Sequence, residues 1–104
     1  MKVRTRLTHC AVEAAMQVVT GKWKVHILWA LSPRPRRFGE LRRLLPGVSD
    51  KVLIDQLREL MTDEIVHRDS HPGPVPHVEY SLTARGAALN EALRPLGAWG
   101  REHL

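Results

Sequence analysis

The chain has 104 residues, 43% of them apolar, enough for one domain over residues 1–104 with one core and no need of a stabilising metal or disulfide network. Lysine and arginine outnumber aspartate and glutamate by 16 to 11, a net charge of +5 that suits a polyanionic partner such as nucleic acid, acidic membrane or acidic protein. No apolar run is long enough to span a bilayer. The one cysteine, Cys10, excludes an internal disulfide and fits a reducing, cytoplasmic setting, though it permits a bridge between subunits.

The opening MKVRTRL is basic, as a signal peptide is, but His9, Glu13 and Gln17 interrupt the next segment, so no secretory apolar core is expected. Residues 10–19 place Val12, Ala15, Met16 and Val19 on one helical face, and Gly21 breaks the pattern. A second helix is expected over 22–31, with Trp23, Ile27 and Leu31 spaced by four. The two prolines of SPRPRR argue against regular structure there. FGELRRLLPG reads as a short helix with Phe38, Leu41 and Leu45 inward, Arg42 and Arg43 outward, and a stop at Pro46–Gly47.

Ser49 is a good N-cap for a helix reaching Thr62 or Asp63, Asp50 suits its dipole, and Leu53, Leu57 and Leu60 form its buried stripe. Residues 65–69 and 78–82 alternate as half-buried strands around a long proline-stiffened tip, SHPGPVPH. Tyr80 is expected to anchor this hairpin to the core. Thr83 caps a last helix whose inner face is Leu89, Leu93 and Leu96, extended by Trp99 and bent at Pro95. Helix, helix, short helix, helix, hairpin, helix is a mainly α chain with a small β-hairpin wing, an α+β winged helix-turn-helix.

CAVEAAMQVVTGKWKVHILWAL, RRFGELRRLLPGVSDKVLIDQLREL and VEYSLTARG, taken together, resemble the HxlR-type transcriptional regulators of bacteria over roughly residues 9–100. The resemblance implies a homodimeric DNA-binding repressor or activator, with first and last helices building the dimer interface. It also implies that a cysteine placed like Cys10 can sense an oxidant or a small electrophile. Two positions depart from the pattern. Ala11 stands where proline is common, and Glu64 stands where glycine is common after the reading helix. Glu64 must therefore carry left-handed strain or end that helix another way.

In a helix-turn-helix the early residues of the second helix meet base edges in the major groove. At about 100° per residue, Lys51, Asp55 and Arg58 point away from the leucines, with Ile54 on the flank. Ser49, Lys51, Ile54 and Asp55 are the candidate readers. Lys51 suits guanine O6 or N7, Asp55 cytosine N4, and Ile54 a thymine methyl; Arg58 lies deeper and suits phosphate. Aspartates are tolerable there because phosphate contacts elsewhere supply much of the affinity. The plainer reading makes Lys51, Asp55, Arg58 and Glu59 a solvated face with i, i+4 pairs. Phosphate contacts are expected from Arg36, Arg37, Arg42 and Arg43 and from Lys2, Arg4 and Arg6, each of which is equally an ordinary surface charge. The wing offers His71 and His77, a weak phosphate clamp since histidine is largely uncharged near pH 7, although rigid prolines suit insertion into a minor groove.

Cys10 follows His9 at a helix start, and both a helix N-terminus and a protonated neighbour favour the thiolate that oxidants attack. The plainer reading is a small buried residue without reactivity. His67 and His71 are four apart with His77 beyond, but no second cysteine is present and the spacing matches no common site, so neither metal nor cofactor is expected. Trp23, Trp29 and Trp99 read as core or interface fillers. No catalytic set is visible: Ser49 and Ser81 lack a G-x-S-x-G setting, and no glycine-rich phosphate loop occurs. The expectation is a dimeric, sequence-specific regulator on a near-palindromic operator, with duplex DNA as partner. The alternative is a winged-helix module that binds protein through the same surface.

Overall fold

In the computed structural model, residues 10–104 are described; Lys2, Arg4, Arg6 and His9 lie outside them. Helix α1 covers Ala11–Val19 and starts from Cys10, whose backbone is extended and whose side chain makes no cap bond. Thr20 ends it, its hydroxyl donating to the Met16 carbonyl at 2.7 Å. Helix α2 covers Lys24–Leu31 and starts two residues later than the spacing predicts, because Lys22 and Trp23 belong to the turn after Gly21. It is apolar on most sides and forms the centre of the fold: Ile27, Leu28, Ala30 and Leu31 are buried.

The segment SPRPRR contains structure that its prolines conceal. Arg36–Arg37 form a short strand, β1, antiparallel to the hairpin, with Arg36 opposite Tyr80 and Arg37 opposite Glu79. The strand lies at a sheet edge and comes after Pro35, a position where proline interrupts no ladder bond. Helix α3 comes next at Phe38–Leu44, where Glu40 Oε1 accepts the Arg37 backbone N–H at 2.8 Å. Helix α4 covers Asp50–Thr62, and Ser49 Oγ accepts the Val52 N–H at 3.1 Å as the sequence predicts. Leu53, Leu57 and Leu60 are essentially fully buried. Exposing any one of them would forfeit roughly 1.5–3 kcal/mol, which determines the side of α4 that faces out.

Helix α4 ends in a Schellman turn. The Ile65 N–H reaches the Leu60 carbonyl at 2.9 Å and the Glu64 N–H reaches Met61 at 3.0 Å. Glu64 occupies the left-handed position with φ of 61°, so it takes the strained of its two options. Strands β2 (Val66–His71) and β3 (His77–Leu82) complete a sheet of order β1-β3-β2. Pairing runs out to His71 opposite His77, so the tip is only Pro72–Pro76, shorter than predicted. Tyr80 packs on the core, as the sequence predicts.

Helix α5 covers Ala84–His103 and continues through Pro95. The Thr83 hydroxyl accepts from Gly86 N at 2.9 Å and donates to the Glu64 carbonyl at 2.7 Å, tying this helix to the end of α4. Gly86 is required here: a Cβ would stand 2.1 Å from the Ile65 carbonyl oxygen. Leu89 and Leu93 pack against the core, but Leu96 and Trp99 do not. The predicted inner face therefore splits, because the far half of α5 extends beyond the core of its own chain.

Candidate nucleic-acid interface

Helix α4 is set against α3 by Arg42, whose Nε lies 2.8 Å from Asp50 Oδ1 across the turn. Among the described residues, Arg42 is thus a brace of the helix-turn-helix as well as an exposed cation. A second brace comes from behind: buried Lys24 of α2 forms an ion pair with Glu59 of α4. Glu59 therefore does not belong to a simple solvated face. Lys24 carries no sequence signal beyond its place in GKWK.

The outward face of α4 presents Lys51, Ile54 and Arg58 exposed and Asp55 half-buried. Asp55 stands between two cations, with Oδ2 at 3.0 Å from Lys51 Nζ and Oδ1 at 3.4 Å from Arg58. The plainer expectation of i, i+4 pairing is met by Lys51 and Asp55. Each carboxylate oxygen has one of these partners and keeps a further lone pair, so Asp55 can still accept from a cytosine amino group while paired. Ser49 is exposed at the start of the helix while its Oγ holds the cap. Val52 is a surface residue that the leucine spacing does not single out. It is 38% exposed and, with Lys22, Trp23, Gly47, Ser49 and Gln56, lines a groove beside the first turn.

The basic residues divide into two kinds. Arg36 is half-buried and its Nε donates to the Ala30 carbonyl at 2.9 Å, closing the end of α2. Arg37 and Arg43 are exposed and have no ion-pair partner among the described residues. Arg34, which sequence reasoning passed over, holds Glu40 at 2.9 Å. The Arg37 backbone N–H, and then Arg34, lower the Glu40 carboxyl to about 2.

On the wing, His71 and His77 stack with ring centroids 4.7 Å apart, and both face Glu79. His67 is separate and pairs with Asp69 at 2.9 Å. Cys10 is exposed in the single chain, where the plainer reading expected a small buried residue. The helix it begins packs only its Val18–Val19 end on the core.

Helix-turn-helix, sheet and wing together define an α+β winged helix-turn-helix. The profile of the HxlR-like helix-turn-helix family matches residues 18–104, and the chain belongs to that family. It is 42% identical over 94 residues to the HTH-type transcriptional regulator YtcD of Bacillus subtilis strain 168, covering 90% of this chain and 75% of that protein. Among solved structures, the reduced form of the redox regulator HypR superposes with a TM-score of 0.83 at 38% identity, over 89% of this chain and 92% of that one. The reduced form of the B. subtilis transcriptional regulator YodB gives 0.84 at 32% identity, over 92% and 95%. No helix among the described residues is long and apolar enough to cross a membrane.

Proposed function

We propose that this protein is a homodimeric, sequence-specific DNA-binding transcriptional regulator, with α4 as its reading helix and Cys10 as a thiol responsive to oxidants or electrophiles. The observation that carries the reading is the orientation of α4. Its leucines are buried while Lys51, Ile54 and Arg58 face solvent, and Ser49 and the Arg42–Asp50 pair hold its first turn. Arg37 and Arg43 are the phosphate contacts that this geometry favours, with Arg42 sharing its charge between Asp50 and DNA. Arg36 serves the fold first.

The dimer is supported by apolar side chains that the described residues of one chain leave uncovered. Val12 and Met16 of α1 are 67% and 44% exposed, and Leu96 and Trp99 of α5 are 53% and 52% exposed. Trp29 of α2 adds to them at 62%. Exposed apolar area of this kind marks an interaction surface, and a twofold contact through the first and last helices would cover it. Two reading helices would then enter successive major grooves roughly 34 Å apart on a near-palindromic site. Cys10 precedes Val12 and Met16 on α1, so a modified thiol acts close to the proposed subunit contact. The likeness to HypR, described as a redox regulator in oxidized and reduced forms, supports this assignment.

Selection of duplexes from random DNA with reduced and with peroxide- or quinone-treated protein tests the whole reading. Reduced protein should enrich a near-palindrome, bind it with a steep loss of affinity as salt rises, and respond to oxidant only while Cys10 is present. No enriched sequence, together with salt-independent binding, would instead identify a protein-interaction module.

A further inference from the structure

The outer face of the wing carries a cluster that DNA reading does not explain. In the β2–β3 register His71 stands opposite His77, and Asp69 opposite Glu79. Alternation along each strand puts His67, Asp69, His71, His77 and Glu79 on one face, while Val66, Tyr80 and Leu82 turn to the core. His67 is occupied with Asp69. The other three converge: His71 Nε2 lies 3.3 Å from Glu79 Oε1, and His77 Nε2 lies 3.6 Å from Glu79 Oε2. One ligand atom from each residue lies within 4.8 Å of the other two.

We propose that His71 Nε2, His77 Nε2 and the Glu79 carboxylate bind a late first-row divalent cation of the zinc class at the base of the wing tip. Zinc bonds to nitrogen and oxygen run about 2.0–2.2 Å, so a tetrahedral ion separates its ligand atoms by about 3.3–3.6 Å. The two approaches in that range run to different oxygens of Glu79, Oε1 for His71 and Oε2 for His77, so the carboxylate straddles the two imidazoles and must rotate to set one oxygen as the shared ligand. Two imidazoles and one carboxylate suit zinc, nickel or copper, whereas calcium and magnesium take oxygen ligands. His71 Nε2 is covered from solvent and makes no hydrogen bond, since its approach to Glu79 lacks the alignment of one. A metal would use that lone pair. His77 Nδ1 lies 3.5 Å from the Val75 carbonyl, and a proton shared there leaves Nε2 free to ligate. Pro72, Pro74 and Pro76 stiffen the tip and reduce the entropy lost in holding the two histidines together.

Three protein ligands leave a fourth position for water or an external oxygen. The ion would also reverse the local charge: one carboxylate and two neutral imidazoles become a site of net charge +1. A wing whose exposed fixed cation is Arg68 would then present a second positive centre to the phosphate backbone. That consequence rests on the DNA reading, but the binding of metal does not.

The test is calorimetric titration of zinc into tag-free, full-length protein without DNA. One zinc should bind per chain. His71→Ala and His77→Ala should each weaken it by about a hundredfold or more, since even outer-shell changes cost roughly 10–100-fold. Glu79→Gln should weaken it less than either. His67→Ala and Cys10→Ser should leave it unchanged, and circular dichroism should show every variant folded. Absence of a saturable site, or loss of the site in His67→Ala or Cys10→Ser rather than in the proposed ligands, would overturn the inference. Since no DNA is present, the result does not depend on whether the chain binds DNA.

Discussion

The ammonium of Lys24 in α2 is held against the carboxylate of Glu59 in α4, with the lysine side chain 5% exposed and the glutamate 57% exposed. One partner is desolvated and the other is not, so the two substitutions should differ in cost. Glu59→Gln leaves a buried cation without its counter-charge. A fully buried pair broken this way loses roughly 3–5 kcal/mol; with Glu59 half in water, about 1–2 kcal/mol is expected. Lys24→Met removes the charge and keeps the apolar stem, and should cost less than Glu59→Gln. Urea unfolding of both variants and of the double variant measures the difference. Equal costs for the two single variants would mean that the pair acts as an ordinary surface bridge.

Glu64 and Gly86 make a second contrast. Glu64 adopts φ of 61° at the end of α4, a conformation that costs a side chain roughly 1–2 kcal/mol. Glu64→Gly should therefore raise stability by about 0.5–1 kcal/mol, the gain being reduced by the greater freedom of glycine in the unfolded chain. Glu64→Ala keeps the strain and should change little. At position 86 the direction reverses. An alanine Cβ would meet the Ile65 backbone oxygen at 2.1 Å, and a carbonyl held by Thr83 cannot swing aside. Gly86→Ala should cost about 2 kcal/mol or more, within the range of overpacking. Thermal unfolding of the three variants checks both directions.

Glu40 supplies a pH prediction. Its carboxyl is lowered from 4.5 to about 2, first by the Arg37 backbone N–H and then by Arg34. A group whose folded pKa is depressed stabilises the fold fully above its unfolded value and loses that contribution as pH falls through the folded one. Stability should thus decline between pH of about 4.5 and about 2 partly through Glu40, and Glu40→Gln should flatten that part of the curve. A side-chain NMR titration of Glu40 with a midpoint near 4.5 would contradict the arrangement at the start of α3.

The sequence made visible what is local and periodic. The stripe of Leu53, Leu57 and Leu60 with its Ser49 cap and the Thr83 cap appear where residue spacing places them, and both strands form but reach further toward the tip than the alternation predicts. What escaped it depends on distant partners. A strand of two residues shows no alternation, and β1 exists only because Tyr80 and Glu79 come alongside Arg36 and Arg37. Lys24 and Glu59 are 35 residues apart. Glu79 joins His71 and His77 only because the hairpin register sets all three on one face, which the spacing of histidines alone does not reveal. Leu96 departs from its expected place for a related reason: its apolar spacing is real, but the described residues of its own chain leave it 53% exposed.

Lys51 and Arg43 test the proposed division between base reading and phosphate anchoring. Lys51 is exposed on the outward face of α4, held at 3.0 Å by Asp55 one turn on. Its pairing with Asp55 is a weak surface interaction, worth roughly 0.3–0.5 kcal/mol, so a guanine edge can compete for the ammonium. Lys51→Ala should relax preference at one operator position, with a loss of roughly 1–3 kcal/mol on the best sequence and little on the others. Arg43, exposed on α3 without an ion-pair partner among the described residues, has no such competition. Arg43→Ala should weaken binding to all sequences alike and reduce the slope of log affinity against log salt by about one. Fluorescence-anisotropy titrations against the selected site, its single-base variants and unrelated duplex, each at several salt concentrations, distinguish the two. If Lys51→Ala alters neither affinity nor preference, α4 does not read bases through that side chain, and the assignment passes to Val52 and Ile54.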